Sequence, residues 1–180
     1  MALLGNPIGR ALIILVALAG LGAAWYLGSP LFISQTVMEK FRPSAGPDPA
    51  PRADGTAPGQ ATAGEVVLVA QGAFKDGDSF HKGEGTAKVY RMADGSHLLR
   101  LEGFKVTNGP DLHVLLAGNP APRERQDLEQ EKYYDLGKLK GNVGDQNYVV
   151  PSTVDLRLVR SVVIYCLPFH VVFSTASVAF

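Results

Sequence analysis

Past residue 64 the chain alternates apolar and polar positions in short runs, the period of half-buried strands. Val66-Val67-Leu68-Val69 opens the series. Thr86–Arg91 (TAKVYR) and Ser96–Leu101 (SHLLRL) flank Ala93-Asp94-Gly95, and Asp-Gly between two such runs predicts a hairpin. Leu112–Ala117 (LHVLLA), Val149-Val150, Ser161–Cys166 (SVVIYC) and His170–Ser174 (HVVFS) read as further strands. Glycines break the runs at short intervals. Only Arg123–Lys132 (RERQDLEQEK) departs from this, as a charged surface loop or a short helix. No internal repeat is visible. Short strands separated by turn signals predict an all-β domain, an antiparallel β-sandwich of Ig-like or jelly-roll-like form.

The first part of the chain follows another pattern. No charge stands between Ala11 and Ser34, and Ala11–Gly28 (ALIILVALAGLGAAWYLG) is apolar nearly throughout. As a helix this run spans about 27 Å, close to the ~30 Å of a bilayer's hydrocarbon core. Trp25 and Tyr26 stand at its far end, where amphipathic aromatics favour the membrane interface. Arg10 and the α-amine precede it, so the positive-inside rule keeps the N-terminus in the cytoplasm and the domain outside. A cleaved signal peptide, cut near Gly22-Ala23-Ala24, is the competing reading. The continuation of apolar residues through Leu31-Phe32-Ile33 favours an uncleaved single-pass anchor.

Residues 43–64 (PSAGPDPAPRADGTAPGQATAG) carry no large apolar side chain and cannot repay the entropy of ordering. Three segments follow: an anchor with its flanks over 1–34, a Pro/Ala/Gly-rich linker over 35–64, and a domain over 65–180 that folds without the rest. The linker composition predicts few contacts with the domain.

Charge narrows the function. Lys+Arg and Asp+Glu both total 17. Only Arg10, Lys40, Arg42, Arg52, Glu39, Asp48 and Asp54 precede Glu65, so the domain is itself near neutral. Without a basic stripe it has no electrostatic means of holding phosphates, and nucleic acid is excluded as a partner. The membrane, through the N-terminal helix, is the partner the sequence names. A single cysteine rules out a disulfide within the chain and every paired-cysteine motif.

Several motifs stand in a fixed order: Ser79–Ala87 (SFHKGEGTA), the hairpin at Asp94-Gly95, and Leu99–Phe104 (LRLEGF). Asn108–Val114 (NGPDLHV), Leu139–Tyr148 (LKGNVGDQNY), Val163–Cys166 (VIYC) and Phe169–Ala176 (FHVVFSTA) complete them. Together they resemble the DM-thirteen domain, the electron-transfer DM family, over about residues 70 to 178. The resemblance implies a strand-rich extracytoplasmic domain with a redox or electron-transfer role at its characteristic cysteine, which Cys166 matches. A redox or other extracytoplasmic protein would then be a partner. The alternative is a non-enzymatic ligand- or protein-binding module in which the cysteine is structural.

Most of these motifs have a structural reading. Asn108-Gly109-Pro110-Asp111 has turn chemistry, and Gly141–Asn147 reads as a tight loop whose Asp145, Gln146 and Asn147 could face a cation. Asp76-Gly77-Asp78 reads as a turn, and His81 and His97 as exposed. No hydrolase elbow, zinc-protease helix, phosphate loop or dinucleotide fingerprint is present, so the domain is not read as an enzyme on its own. His113, Cys166 and His170 stand apart. Two imidazoles and a thiolate are the equatorial set of blue-copper centres and suit copper or another transition metal. Against this stands a buried apolar Cys166, since Val162 and Ile164 share its parity, with Pro168 interrupting the path to His170. A redox role requires Cys166 to be partly accessible, with His113 or His170 within bonding distance to lower its pKa.

Overall fold

The computed structural model describes residues 7–32, 34–41 and 65–180. The linker sequence from 42 to 64 lies outside the described residues, as do the side chains of Ala23, Ala24 and Tyr26. The apolar run forms α1 (Pro7–Phe32). Leu12, Ile14, Leu15, Val16, Leu18 and Leu21 are all exposed, so among the described residues nothing covers this stretch of the helix. Among the described residues no helix is long and apolar enough to cross a membrane.

The domain is mostly β. Its strands are β1 (Val67–Asp76), β2 (Gly83–Arg91), β3 (His97–Val106), β4 (Leu112–Ala117), β5 (Tyr133–Lys138), β6 (Gln146–Val150), β7 (Ser161–Cys166) and β8 (Val171–Ser177). A short helix, α2 (Arg125–Glu129), interrupts the β4–β5 connection, in the stretch the sequence gives to a charged loop or short helix. All pairings are antiparallel, in the order β5-β4-β7-β8-β1-β2-β3-β6. The expected sandwich of two stacked sheets is therefore replaced by one eight-stranded sheet curled almost into a barrel. The reason is β1. Its first residues pair with β2, and its last, Phe74–Asp76, pair with β8, so it joins both halves.

Alternation places one face of each strand inside. Ala87, Val89, Leu99, Leu101, Phe104, Val114, Leu116, Val162, Ile164, Cys166 and Phe173 form the main core. Outside the barrel, Leu128 of α2 packs on Leu115, Ala117, Val163, Tyr165 and Val172 as a smaller cluster. The seam between β5 and β6 is closed by side chains. Gln146, fully buried, donates to the Gly141 carbonyl (2.7 Å) and accepts from the Gly141 and Lys140 amides (3.2 and 3.1 Å). The Tyr148 hydroxyl donates to Gln146 Oε1 at 2.9 Å and accepts from the Lys140 amide at 3.0 Å.

The ends of the barrel differ. The β1–β2, β3–β4, β5–β6 and β7–β8 connections gather at one end, called here the proximal end. The β2–β3, β4–β5 and β6–β7 connections, with the start of β1, lie at the distal end.

Residues 34–41, the last residue of the anchor segment and the first part of the linker as the sequence divides them, lie extended along the barrel. Thr36 pairs in parallel with Val143. The Val37 and Glu39 amides donate to the Val143 and Asp145 carbonyls, both at 2.9 Å, and the Val143 amide donates to the Gln35 carbonyl at 3.2 Å. Glycine makes this approach possible. A Cβ on Gly144 (φ +101°) would sit 2.0 Å from the Val37 carbonyl oxygen, and one on Gly141 would sit 2.5 Å from that of Gln35. Glu39 receives the Lys140 ammonium (2.8 and 3.0 Å) and the Asn147 amide (2.7 Å). Phe41 lies on Tyr90 with ring centroids 4.5 Å apart.

Beneath this strap, Arg100 is buried at 5% exposure. It donates to the Glu39 carbonyl and to Asn147 Oδ1, each at 3.0 Å, and pairs with Asp145 and Glu102. Asp145, Gln146 and Asn147 thus serve the loop, the seam and the strap.

Candidate functional site

Cys166 ends β7 at the proximal end, opposite Leu112 in the β4–β7 ladder. It is completely buried. The expectation of a partly accessible thiol is not met. Its thiol donates to the Pro110 carbonyl at 3.1 Å. Burial pushes the thiol pKa up; the Phe169 backbone N–H opposes this and the Asp111 carboxylate adds to it. Two turns therefore cover the sulfur. One is Asn108–Asp111, fixed where Gly109 lets the Phe173 ring come so close that a Cβ there would lie 2.6 Å from it. The other is the turn at 167–170. Asp111 (φ 50°) and His170 (φ 56°) are the non-glycine residues with positive φ among those described, one in each turn. Such a backbone is uncommon for residues with a Cβ, and it tends to be retained where the surrounding structure dictates it.

The two histidines are elsewhere. Leu112 and Cys166 point into the barrel, so their neighbours His113 and Tyr165, also paired, point outward. His113 Nδ1 lies 2.8 Å from Asp135 Oδ2, while its Nε2 is buried without a hydrogen-bond partner, 3.6 Å from Asp111 Oδ1. Lys138 Nζ is 2.7 Å from the same Asp111 oxygen, and its hydrogen bond holds the Asp111 carboxyl below the usual carboxylate range. His170, exposed in its turn, faces the Tyr165 hydroxyl at 3.4 Å.

His113 and Cys166 thus stand on opposite faces of the sheet, and neither histidine hydrogen-bonds the thiol. These residues do not fit a His₂Cys metal centre. Among the described residues no group of three His, Cys, Asp or Glu is placed to hold an ion. The imidazole of His113 is instead a structural link between β4 and β5.

Other residues were less visible in the sequence. Asp135 sits in a strand with little apolar signal, yet it fixes His113. His81 is less exposed than the sequence suggested: its Nδ1 is 2.7 Å from Asp78 Oδ2 and its ring lies 4.1 Å from that of Phe173. The Asp78 carboxyl, accepting from His81 and from the turn's amides, is held down at about 2.

Among the described residues, Cys166 borders neither of two clefts on the barrel surface. A cleft of about 240 Å³ is bordered by Asp76, Lys82, Glu84, Lys105 and Thr107. A second, of about 90 Å³, lies between Arg125 and Glu129 of α2 and Tyr133, Tyr165 and His170.

No curated protein and no solved structure matches the chain. The family described as Electron transfer DM13 matches residues 73–178, which takes in every strand from the middle of β1 to the end of β8. The two turns over Cys166 and the loop beneath the strap fall inside that match, and it spans more than half of the 180 residues. The chain therefore belongs to the Electron transfer DM13 family.

Proposed function

We propose that this chain is a membrane-tethered, extracytoplasmic electron-transfer domain whose redox centre is Cys166, held shielded at rest. The observation that carries the reading is the pair of positive-φ turns closed over one thiol, in a family described by electron transfer. A free thiol outside the cytoplasm is open to oxidation, and burial with a raised pKa protects it. The chain has no second cysteine, so exchange requires a partner protein that carries a disulfide. Once the turns open, Cys166 loses its proton to solvent and its thiolate attacks one partner sulfur. A mixed disulfide forms, the partner's S–S bond breaks, and its second sulfur leaves as a thiolate that takes up a proton. Tethering is supported by the uncharged run of α1 and by the exposure of its apolar side chains on every side.

A second reading rests on the same burial. The Cys166 thiol is a small apolar filler of the core, and the domain binds a ligand or protein through its loops or clefts. Labelling kinetics separate the two. Under the redox reading a thiol reagent modifies Cys166 in the native protein, at a rate that does not change with low urea because the opening is local. The rate should also keep rising with pH beyond the ordinary thiol value of 9.0, since the folded pKa is higher. If labelling instead tracks global unfolding, with its full urea dependence, Cys166 is structural and the binding reading stands.

A further inference from the structure

We infer that the proximal end of the barrel rests on the lipid surface from which α1 emerges, with Phe80 and Phe169 as its contacts. This rests on the reading of α1 as a membrane anchor and adds an orientation to it. Ser34 follows the last residue of α1, Phe32, by two positions, a reach of at most about 7 Å. The strap is fixed to the barrel from its first residues. Asn142 Oδ1 accepts from the Gln35 amide at 2.6 Å, and Asn142 Nδ2 donates to Ser34 Oγ at 3.4 Å. Asn142 belongs to the β5–β6 loop, at the proximal end. From there the strap runs in parallel beside Val143 and on to Tyr90, near the distal end. The end of α1 therefore leads into the barrel at its proximal end.

That end carries the two most exposed phenylalanines of the barrel. Phe80 is 81% exposed in the β1–β2 turn and Phe169 is 68% exposed in the β7–β8 turn. β8 and β1 are neighbours, so the turns lie side by side. The Gly77 amide donates to the Phe173 carbonyl at 3.0 Å, which holds the β1–β2 turn against the first residues of β8. Large aromatic side chains on adjacent turn tips, both left uncovered, suit an apolar surface. The charges around them are matched. Lys82 pairs with Asp76 (3.0 Å), Lys105 with Glu84 (3.7 Å) and Lys138 with Asp111 (2.7 Å). With no net positive patch, the contact calls for a neutral lipid interface and does not require anionic headgroups. Attachment through α1 also makes the contact intramolecular, with an effective concentration on the order of millimolar, so two aromatic side chains are enough.

The test uses the full chain in phosphatidylcholine vesicles whose lipid is brominated high on the acyl chains, so that it quenches nearby tryptophan. Trp25 is the only tryptophan, and its quenching in the wild-type protein reports whether α1 inserts. In a Trp25→Phe background, Phe80→Trp and Phe169→Trp report the proximal end. Leu158→Trp, half-exposed between β6 and β7, reports the distal end. Both proximal tryptophans should lose emission to a degree comparable with Trp25 and shift to the blue, while Leu158→Trp should match its emission in unbrominated vesicles. Quenching of Trp25 with none at positions 80 and 169 would overturn the orientation and leave the anchor standing. Absence of quenching at Trp25 removes the anchor, and the orientation falls with it. Equal quenching at 158 would show a domain lying with no preferred end.

Discussion

Replacing Glu39 by alanine tests whether the strap belongs to the folded domain. Its carboxylate accepts the Asn147 amide at 2.7 Å and the Lys140 ammonium at 2.8 and 3.0 Å. A hydrogen bond from a backbone amide to a charged acceptor contributes about 1.5–3 kcal/mol. The ion pair is 33% exposed at Glu39 and 41% at Lys140, so screening by solvent leaves it no more than about 0.5 kcal/mol. Glu39→Ala should therefore cost about 2 kcal/mol, and Glu39→Gln, which keeps an acceptor for Asn147, about 1 kcal/mol. With a urea slope of roughly 2 kcal/mol/M, the alanine variant's midpoint falls by about 1 M. The corresponding drop in Tm is roughly 6–10 °C. Urea unfolding of the full chain in neutral detergent, followed by circular dichroism, measures this at unchanged slope. A double-mutant cycle with Lys140→Ala should return less than about 1 kcal/mol of coupling. If Glu39→Ala unfolds at the wild-type midpoint, the strap contributes nothing to the cooperative unit and the orientation argued from it loses its support.

Two further predictions concern the same end of the barrel. Gly144→Ala places a Cβ 2.0 Å from the Val37 carbonyl oxygen at φ +101°, so the strap should detach. Hydrogen exchange would read this as lost protection of the Val37 and Glu39 amides, with the β4 and β7 amides unaffected. The Tyr148 hydroxyl, pushed up to about 12 mainly by burial, is neutral in the folded barrel. Because its folded pKa lies above the ordinary 10.0, the stability it contributes is whole below pH 10 and drains away as pH rises through about 12. Cys166 acts in the same direction from 9.0 upward. Tyr148→Phe should cost about 1 kcal/mol at neutral pH, through its lost bonds to Gln146 and Lys140, and should flatten the alkaline decline. Urea midpoints across pH, with phenolate absorbance, would check both.

Strands with a strong local pattern were legible from the residues alone. Leu112–Ala117 and Ser161–Cys166 appear as β4 and β7 with the predicted bounds. Tyr133–Lys138 escaped notice because an edge strand with one face half-exposed carries little alternation. The barrel escaped because its cause is the length and double pairing of β1, and its closure depends on Gln146 and Tyr148 meeting the 138–141 backbone. Parity with Val162 and Ile164 pointed Cys166 to a buried face, and the structure follows that parity against the partly accessible thiol that the redox reading expected. The side on which His113 lies depends on the register Leu112↔Cys166, a long-range property that local spacing does not encode. The strap was hidden for the same reason. Gln35–Phe41 has no periodicity of its own, and its seat is made by two distant glycines.

The strap also changes the meaning of the Pro/Ala/Gly-rich stretch. It leaves the barrel at Phe41, against Tyr90, and the chain re-enters at Val67 and Leu68, paired with Arg91 and that same Tyr90. A segment whose ends return to one place cannot act as a ruler. Lengthening or shortening it would leave the barrel at the same height above α1, because the separation is set by the junction at Ser34. Its composition is free to vary without moving the domain. A nick inside it would not by itself free the barrel, since the bonds from Gln35 to Phe41 bridge the cut.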